Sequence, residues 1–336
     1  MKGFLSVSLL VSVVVALASG CAGGNGAAAP GALLRTITNH TGGVQKAAVT
    51  PDGSKIVSGC EDKTIRVWDL RTGALLRTIT DLGDDGSGAL VTPSGNRVAY
   101  GTAAGTIKVW DLDTGAPLLT IAGIGHAIAS LAVTPDGSKI VSGTNWWGVS
   151  EGGTFQGVIT VWDLKTGARL RTLTGDFAVV FAMAVTPDGS KLVSGSAPAQ
   201  NGMLKVWDLR DGVLLRTITG HGDESVLSVA VTPDGTEIVS GSDFGDIEVW
   251  GLNTGKLLRT LPGHNELVTE VTVTPDGSKV VSGSLGNTAW TLRVWDLKTG
   301  ALLQAITESG GGEAVTPDGR EIVVSPDNVI QIWSLP

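Results

Sequence analysis

From residue 31 onward the chain alternates apolar and polar residues in short runs, each closed by Gly, Pro or a Thr-Gly pair. Alternation with a period of two marks strands that bury one face, so the pattern argues for an all-β chain and against a helical one. Four such runs recur as a unit. The first ends in Ala-Val-Thr, a Pro-Asp-Gly turn follows, and the second reads Lys-Ile-Val-Ser-Gly; the third is Ile-Arg-Val-Trp-Asp, and a Leu-x-Thr-Gly turn leads into Leu-Leu-Arg-Thr-Ile. Pro presets φ at the second turn position and Gly accepts a left-handed backbone at the fourth, so the first turn closes a tight hairpin.

The unit repeats seven times. Its turn Pro stands at 51, 93, 135, 187, 233, 275 and 317, and its Trp at 68, 110, 162, 207, 250, 295 and 333. The fourth run begins at Gly31, Gly73, Gly115, Gly167, Gly212, Gly255 and Gly300. Seven motifs in register resemble the WD-repeat β-propeller family. The resemblance implies a ring of seven four-stranded antiparallel blades over residues 31–336, with the first strand at a central channel and the fourth at the rim.

Closure follows from the order of the runs. A fourth-type run at Gly31 to Thr38 precedes any first-type run, whereas the last unit stops at Pro336 without a fourth. The amino-terminal strand is therefore expected to complete the seventh blade, which hides strand edges that an open stack would expose. The last unit also places Gly310-Gly311-Gly312 where its first strand should run, so that strand is expected to be short. WD repeats join a His, a Ser or Thr, an Asp and the Trp in a hydrogen-bonded structural tetrad, and the resemblance implies it in the first unit as His40, Ser58, Asp62 and Trp68. His221 and His264 stand near the matching place, but Phe244 and Ala289 replace the Asp, and His126 is displaced by two residues. The tetrad is thus expected to be mostly absent elsewhere, leaving more of the stability to apolar packing between blades.

Spacing shows where the units differ. From the second-strand Gly to the Trp the distances are 9, 9, 19, 12, 9 and 12 residues in the first six units, while from Trp to the fourth strand the distance is always 11. Insertions therefore lie between the second and third strands, and topology puts those loops on the same face of the ring as the links between blades. The aromatics outside the repeat fall there too: Trp146, Trp147, Phe155, Phe177, Phe244 and Trp290. Acidic residues interleave with them, among them Glu151, Asp176, Asp243, Glu224, Asp246 and Glu266. Rings supply rigid contact area and carboxylates select cationic groups, which suits a binding face for a protein, or for a glycan or peptidoglycan. The other reading is that the Trp146-Trp147 pair folds back to plug the channel.

Composition sharpens this picture. Ten of the sixteen aromatics are Trp, as a repeated Trp position requires. The formal charge of −8, from 24 basic and 32 acidic side chains, argues against binding to phosphate backbones, so no nucleic-acid partner is expected. Arg35, Arg77, Arg171, Arg216 and Arg259 recur at one strand position and read as rim solvation. Cys60 replaces a small polar residue of other units and reads as a buried small side chain. No His lies beside a candidate Ser nucleophile and no Gly-rich segment opens a helix, so no catalytic residue, metal or cofactor is expected. Lactonase- or dehydrogenase-like propeller enzymes remain the minor alternative.

Residues before 31 are of another kind. Lys2, an apolar stretch from Phe4 to Ala18 and then small residues have the layout of an export signal over residues 1–20. Leu17-Ala18-Ser19-Gly20-Cys21 resembles the lipobox of bacterial lipoproteins, which would make Cys21 the lipid-modified first residue; Ala16-Leu17-Ala18 offers an ordinary cleavage site instead. Residues 21–30 read as a flexible tether with a random-coil reach of about 17 Å. It would join the ring on the face away from the aromatics. The sequence as a whole is expected to be an exported, lipid-anchored, non-catalytic interaction scaffold of the cell envelope, with secretion or a periplasmic location as the alternative.

Overall fold

The computed structural model describes residues 31–38, 40, 42–80, 82, 86–123, 125–145, 157–174, 179–196, 203–222, 224–286, 290–307 and 313–336. Every regular element among them is a strand, and the 28 strands form seven four-stranded antiparallel sheets. Six blades are continuous in sequence: Val44–Ile79, Gly86–Ile121, Ala127–Leu173, Val180–Thr219, Val226–Leu261 and Leu267–Thr307. The seventh is composite. Leu33–Ile37 pairs antiparallel with Ile330–Ser334, which pairs with Glu321–Val324 and then with the three-residue strand Glu313–Val315. The first strands of successive blades lie against one another all the way round, and Glu313–Val315 closes back on Val44–Val49. The chain is a closed seven-bladed propeller.

Burial runs from the channel outward. The second strand of each blade is buried along nearly its whole length, as in Lys55–Cys60, whereas the fourth strand exposes its first residues, as in Leu75–Ile79. Each sheet has two apolar faces, and each face is covered by the next blade rather than by water. Seven apolar clusters result, one at every blade junction. Ile65 and Val67 of the first blade, for instance, pack with Val98, Tyr100 and Trp110 of the second. At the closing junction Trp68 packs with Val323, Ile330 and Ile332. The repeated Trp is thus a junction residue. Six of the seven are no more than 6% exposed, and only Trp333 of the closing blade is half-buried.

Both tight turns of a blade lie on one face and are bonded to each other. Leu70 N donates to Ser54 O at 2.9 Å, and the same bond recurs in every blade up to Leu335 N to Arg320 O at 2.7 Å. Within the first turn Asp52 accepts from the Thr50 hydroxyl at 2.5 Å, the Ser54 amide at 3.0 Å and the Ser54 hydroxyl at 2.7 Å. The Thr134 hydroxyl and the Ser138 amide hold the equivalent Asp136 down to about 2. Gly53 adopts φ +68° there, the left-handed value the turn demands.

Two expectations change. Trp290 is not on a loop: it opens the strand Trp290–Asp296 and pairs with Leu285, so the extra residues of the sixth unit lengthen its hairpin by two rungs, Ser284 with Thr291 and Leu285 with Trp290. The recurrent arginines are not simply solvated either. Arg35 Nη1 donates to Leu70 O at 2.5 Å, Arg77 Nη1 to Thr114 O at 2.9 Å, and Arg216 to Thr254 O and Asn253 O at 3.2 and 2.8 Å. Arg171 similarly reaches Arg210 O and Asp211 O. Each guanidinium crosses from the outer strand of one blade to a turn of the next, and a charge-assisted bond of this kind is stronger than a neutral one. Arg259 differs, pairing with Glu237 of its own blade at 3.1 Å.

Removing residues 31–38 would leave Ile330–Ser334 with an open edge and uncover the apolar cluster around Ile37 and Trp68. The truncated chain is expected to unfold or aggregate. A thermal melt unchanged from that of the full chain would contradict this closure.

Candidate interaction face

The opposite face is built from the links between blades and from the turns between second and third strands. Three of the described turns, in the first, second and fifth blades, have the same length, and they carry Asp62, Ala104 and Phe244 at the same position. In the fifth blade the turn is stiffened from both sides. Ser242 N donates to Asp246 O at 3.0 Å, while the Ser242 hydroxyl accepts from Phe244 N and Asp246 N at 3.3 and 3.1 Å. Asp243 clamps the neighbouring link, accepting from Ser225 N at 3.0 Å and donating its own amide to Ser225 O at 3.1 Å. Gly245 takes φ +103°, where a Cβ would run into the His264 carbonyl of the next link. Phe244 stands at the tip, 69% exposed, the most exposed large apolar side chain described. A rigid turn thus holds an aromatic ring in solvent.

The face that carries it is acidic. Glu61, Asp62, Glu224, Asp243, Asp246, Glu266 and Asp327 all lie on these links and turns, with Lys63 as the basic residue described there. Beneath Phe244, Glu248 lies on the third strand with Oε2 3.3 Å from His221 Nε2. Burial, with the nearby charges of Asp246 and Glu224, raises Glu248 to about 6, and burial lowers His221 to about 4. Glu248 escaped the motif reading because it sits on a strand. The signal was present in the sequence: two residues before the Trp, other blades have Arg66, Lys108, Thr160, Lys205, Arg293 and Gln331, and only here an acid.

Of the residues expected at a binding surface, Phe244 and Asp243 are placed side by side on this turn, and Trp290 stands half-buried on the neighbouring sixth blade. Trp146, Trp147, Glu151, Phe155, Asp176 and Phe177 lie outside the described residues, as does Cys21.

The expected tetrad is corrected in two ways. In the first blade His40 Nε2 meets the Ser58 hydroxyl at 3.0 Å and Trp68 Nε1 donates to that hydroxyl at 2.9 Å, but Asp62 is not part of the chain. His40 Nδ1 has no hydrogen-bond partner, while Asp62 accepts from the Thr64 amide and hydroxyl and pairs with Arg66 at 2.7 Å. Arg66 also donates to Cys60 Sγ at 3.2 Å, and Cys60 is buried as expected. The fourfold tetrad is thus a His-Ser-Trp relay. This relay, moreover, is more frequent than expected. His221, Ser240 and Trp250 form it at 2.7 and 3.0 Å, and His264, Ser282 and Trp295 at 2.7 and 2.9 Å. Two further blades keep the Trp-to-Ser bond, from Trp162 to Ser142 at 2.9 Å and from Trp207 to Ser194 at 3.0 Å. The Asp was dispensable because the buried bonds need only a hydroxyl between two ring nitrogens. Burial holds all three histidines near 4, so the imidazoles are neutral at physiological pH.

Comparison with known proteins agrees with this architecture. The family model described as WD domain, G-beta repeat matches residues 31–69, 167–208, 212–250 and 255–296. The first match joins the amino-terminal strand to the first blade, and the others follow the same phase through the fourth, fifth and sixth. The fold is that of a seven-bladed propeller, four segments of which match the WD40 repeat model. No curated protein matches the chain.

Ser240→Ala would leave both Trp250 Nε1 and His221 Nε2 without their shared partner, whereas Ser142→Ala would strand only Trp162 Nε1. Chemical denaturation followed by Trp fluorescence is expected to show a loss of about 2–3 kcal/mol for the first and about 1 kcal/mol for the second. Equal losses would mean that the histidine contributes nothing.

Proposed function

We propose that this propeller is a non-catalytic interaction scaffold whose acidic, aromatic-tipped face binds a protein partner rich in Lys and Arg. A WD40 propeller fits a protein-interaction role in general. The observation that carries the specific reading is the difference between the two faces. On the uniform face the turn carboxylates are consumed internally: Asp52, Asp136, Asp188, Asp234, Asp276 and Asp318 accept from the Thr, Ser or backbone groups of their own turns. Asp69, Asp111, Asp163 and Asp296 do the same in the other turns. On the opposite face Asp62 and Asp243 are bonded in the same way, but Phe244 projects into solvent next to the exposed Asp246, and Glu61 and Asp327 are exposed elsewhere on that face with few cations to balance them. An exposed ring gives a partner an apolar anchor, and the surrounding negative field speeds the approach of a positive surface.

The same reading takes all seven blades, including the three units outside the matched segments, as WD repeats. It also places the protein at the cell envelope, exported through residues 1–20 and held by a lipid on Cys21. Support comes from the sequence layout and from the position of residue 31, where the outer strand begins on the uniform face. A tether joined there leaves the acidic face turned away from a bilayer.

Three variants test this reading in the producing cell. Cys21→Ser is expected to move the protein from the membrane fraction to the soluble fraction, and unchanged fractionation would refute the anchor. Phe244→Ala, and Trp146→Ala with Trp147→Ala, are expected to weaken capture of the partner on the order of tenfold, with capture falling as salt is raised. Undiminished, salt-independent capture would refute the face. Loss of peptidoglycan or soluble-glycan binding in the same variants, without loss of a protein, would transfer the face to a glycan ligand.

A further inference from the structure

The junction between the sixth and seventh blades departs from the other junctions in a way the proposed function does not use. In the third, fourth and fifth blades the second-strand glycines Gly143, Gly195 and Gly241 leave room for a Val of the next blade: a Cβ on them would overlap Val180, Val226 and Val268. At the equivalent Gly283 the space is occupied by the Glu313 carboxylate instead. The substitution follows from chain length, because the seventh unit is short before its turn and only Glu313–Val315 forms its inner strand.

The polar link beside that space is also altered. Ser130 and Ser228, five residues before their turn Pro, donate to the carbonyls of Val180 and Val268 in the next blade at 3.0 and 3.4 Å. The same position of the sixth blade holds Glu270, whose Oε2 accepts from the backbone N of Glu313 at 2.9 Å. Glu270 and Glu313 are each only 4% exposed, and Glu270 Oε1 and Glu313 Oε2 have no hydrogen-bond partner. Each element packed on the junction brings one contribution: the first strand of the sixth blade Glu270, its second strand Gly283, and the first strand of the first blade Lys46, itself 6% exposed. Lys46 offsets the charge of Glu270. Among these groups nothing offsets a second carboxylate, and an unbalanced buried charge is far more costly than a proton taken up from water.

We propose that the ring is closed through a proton latch: Glu313 is carried as the neutral acid in the space that a Val fills at three other junctions, against Glu270 balanced by Lys46. Burial and the Glu270 charge hold the Glu313 carboxyl well above its ordinary 4.5, which accords with the geometry. A raised acid stabilises the fold fully below its unfolded value, and that stability is lost as pH rises through the folded value. The closing blade is therefore tight in mildly acidic surroundings and loosens as they become alkaline.

The test compares thermal melts of the full chain and of Glu313→Gln, a neutral isostere of the protonated acid, between pH 5 and pH 8. The melting temperature of the wild type is expected to fall by about 5 °C relative to the variant across this range. Parallel curves would overturn the latch. So would a calcium- or sodium-dependent rise in melting temperature at pH 8 that the variant lacks, because a cation rather than a proton would then fill the site. Should the variant fail to fold, the wild type alone decides through its infrared spectrum. At pH 8, above the value of about 6 for Glu248 and far above that of an ordinary carboxyl, a protonated-carboxyl band is expected, and its absence would overturn the proposal.

Discussion

The structure depends on the apolar contact between adjacent blades. A four-stranded sheet with hydrophobic residues on both faces cannot stand alone in water, and here each face is covered only by the next copy of the same sheet. Burial of side chains such as Ile65, Val67 and Trp110 contributes about 1.5–3 kcal/mol for each. The contribution at any junction is realised only if both blades are in place. A linear stack would leave two sheets half-covered, so the condition is met by closing the ring, and the strand Leu33–Ile37 does so by joining the two ends of the chain in one blade.

Polar groups then regulate a contact that has no direction of its own. Near the channel Ser130, Ser228 and Glu270 reach to the backbone of the next blade, and at the rim Arg35, Arg77, Arg171 and Arg216 do the same from the outer strand. Within blades the Ser hydroxyls anchor the Trp indoles and, in three blades, a neutral His. Each latch holds the angle between sheets against sliding. They also explain the asymmetry of the two faces, since the turns that receive the arginines are those whose Asp and Thr side chains are already satisfied. The opposite face instead holds Phe244 and carboxylates such as Glu61 and Asp246 in solvent.

Much of this was legible in the chain. Period-two runs and seven registers of Pro, Trp and Gly specify strands and unit number because they depend on neighbours that the repeat itself supplies, and closure was legible from the order of the runs although Leu33 and Trp333 come from opposite ends of the chain. Phe244 and Asp243 were legible for a related reason: they interrupt the repeat at a turn of unchanged length. Trp290 was misread because an insertion between strands can extend the hairpin instead of its loop, and only pairing with Leu285 distinguishes the two. Asp62 was misassigned because a carboxylate chooses among nearby donors by distance, and Arg66 with Thr64 lies closer to hand than His40.

The sequence alone thus determined seven four-strand units, the strand that joins the two chain ends and the place where the units differ, and the resemblance to WD repeats supplied the ring into which they close. The tertiary structure alone decided which groups meet across the junctions. It placed the arginines on carbonyls of the next blade, His221 and His264 on hydroxyls without an Asp, and Glu313 in a space made for Val. The physical reason is that these partners come from different repeats. A contact between repeats is set by the position of one sheet against another, which no pattern within a single repeat encodes.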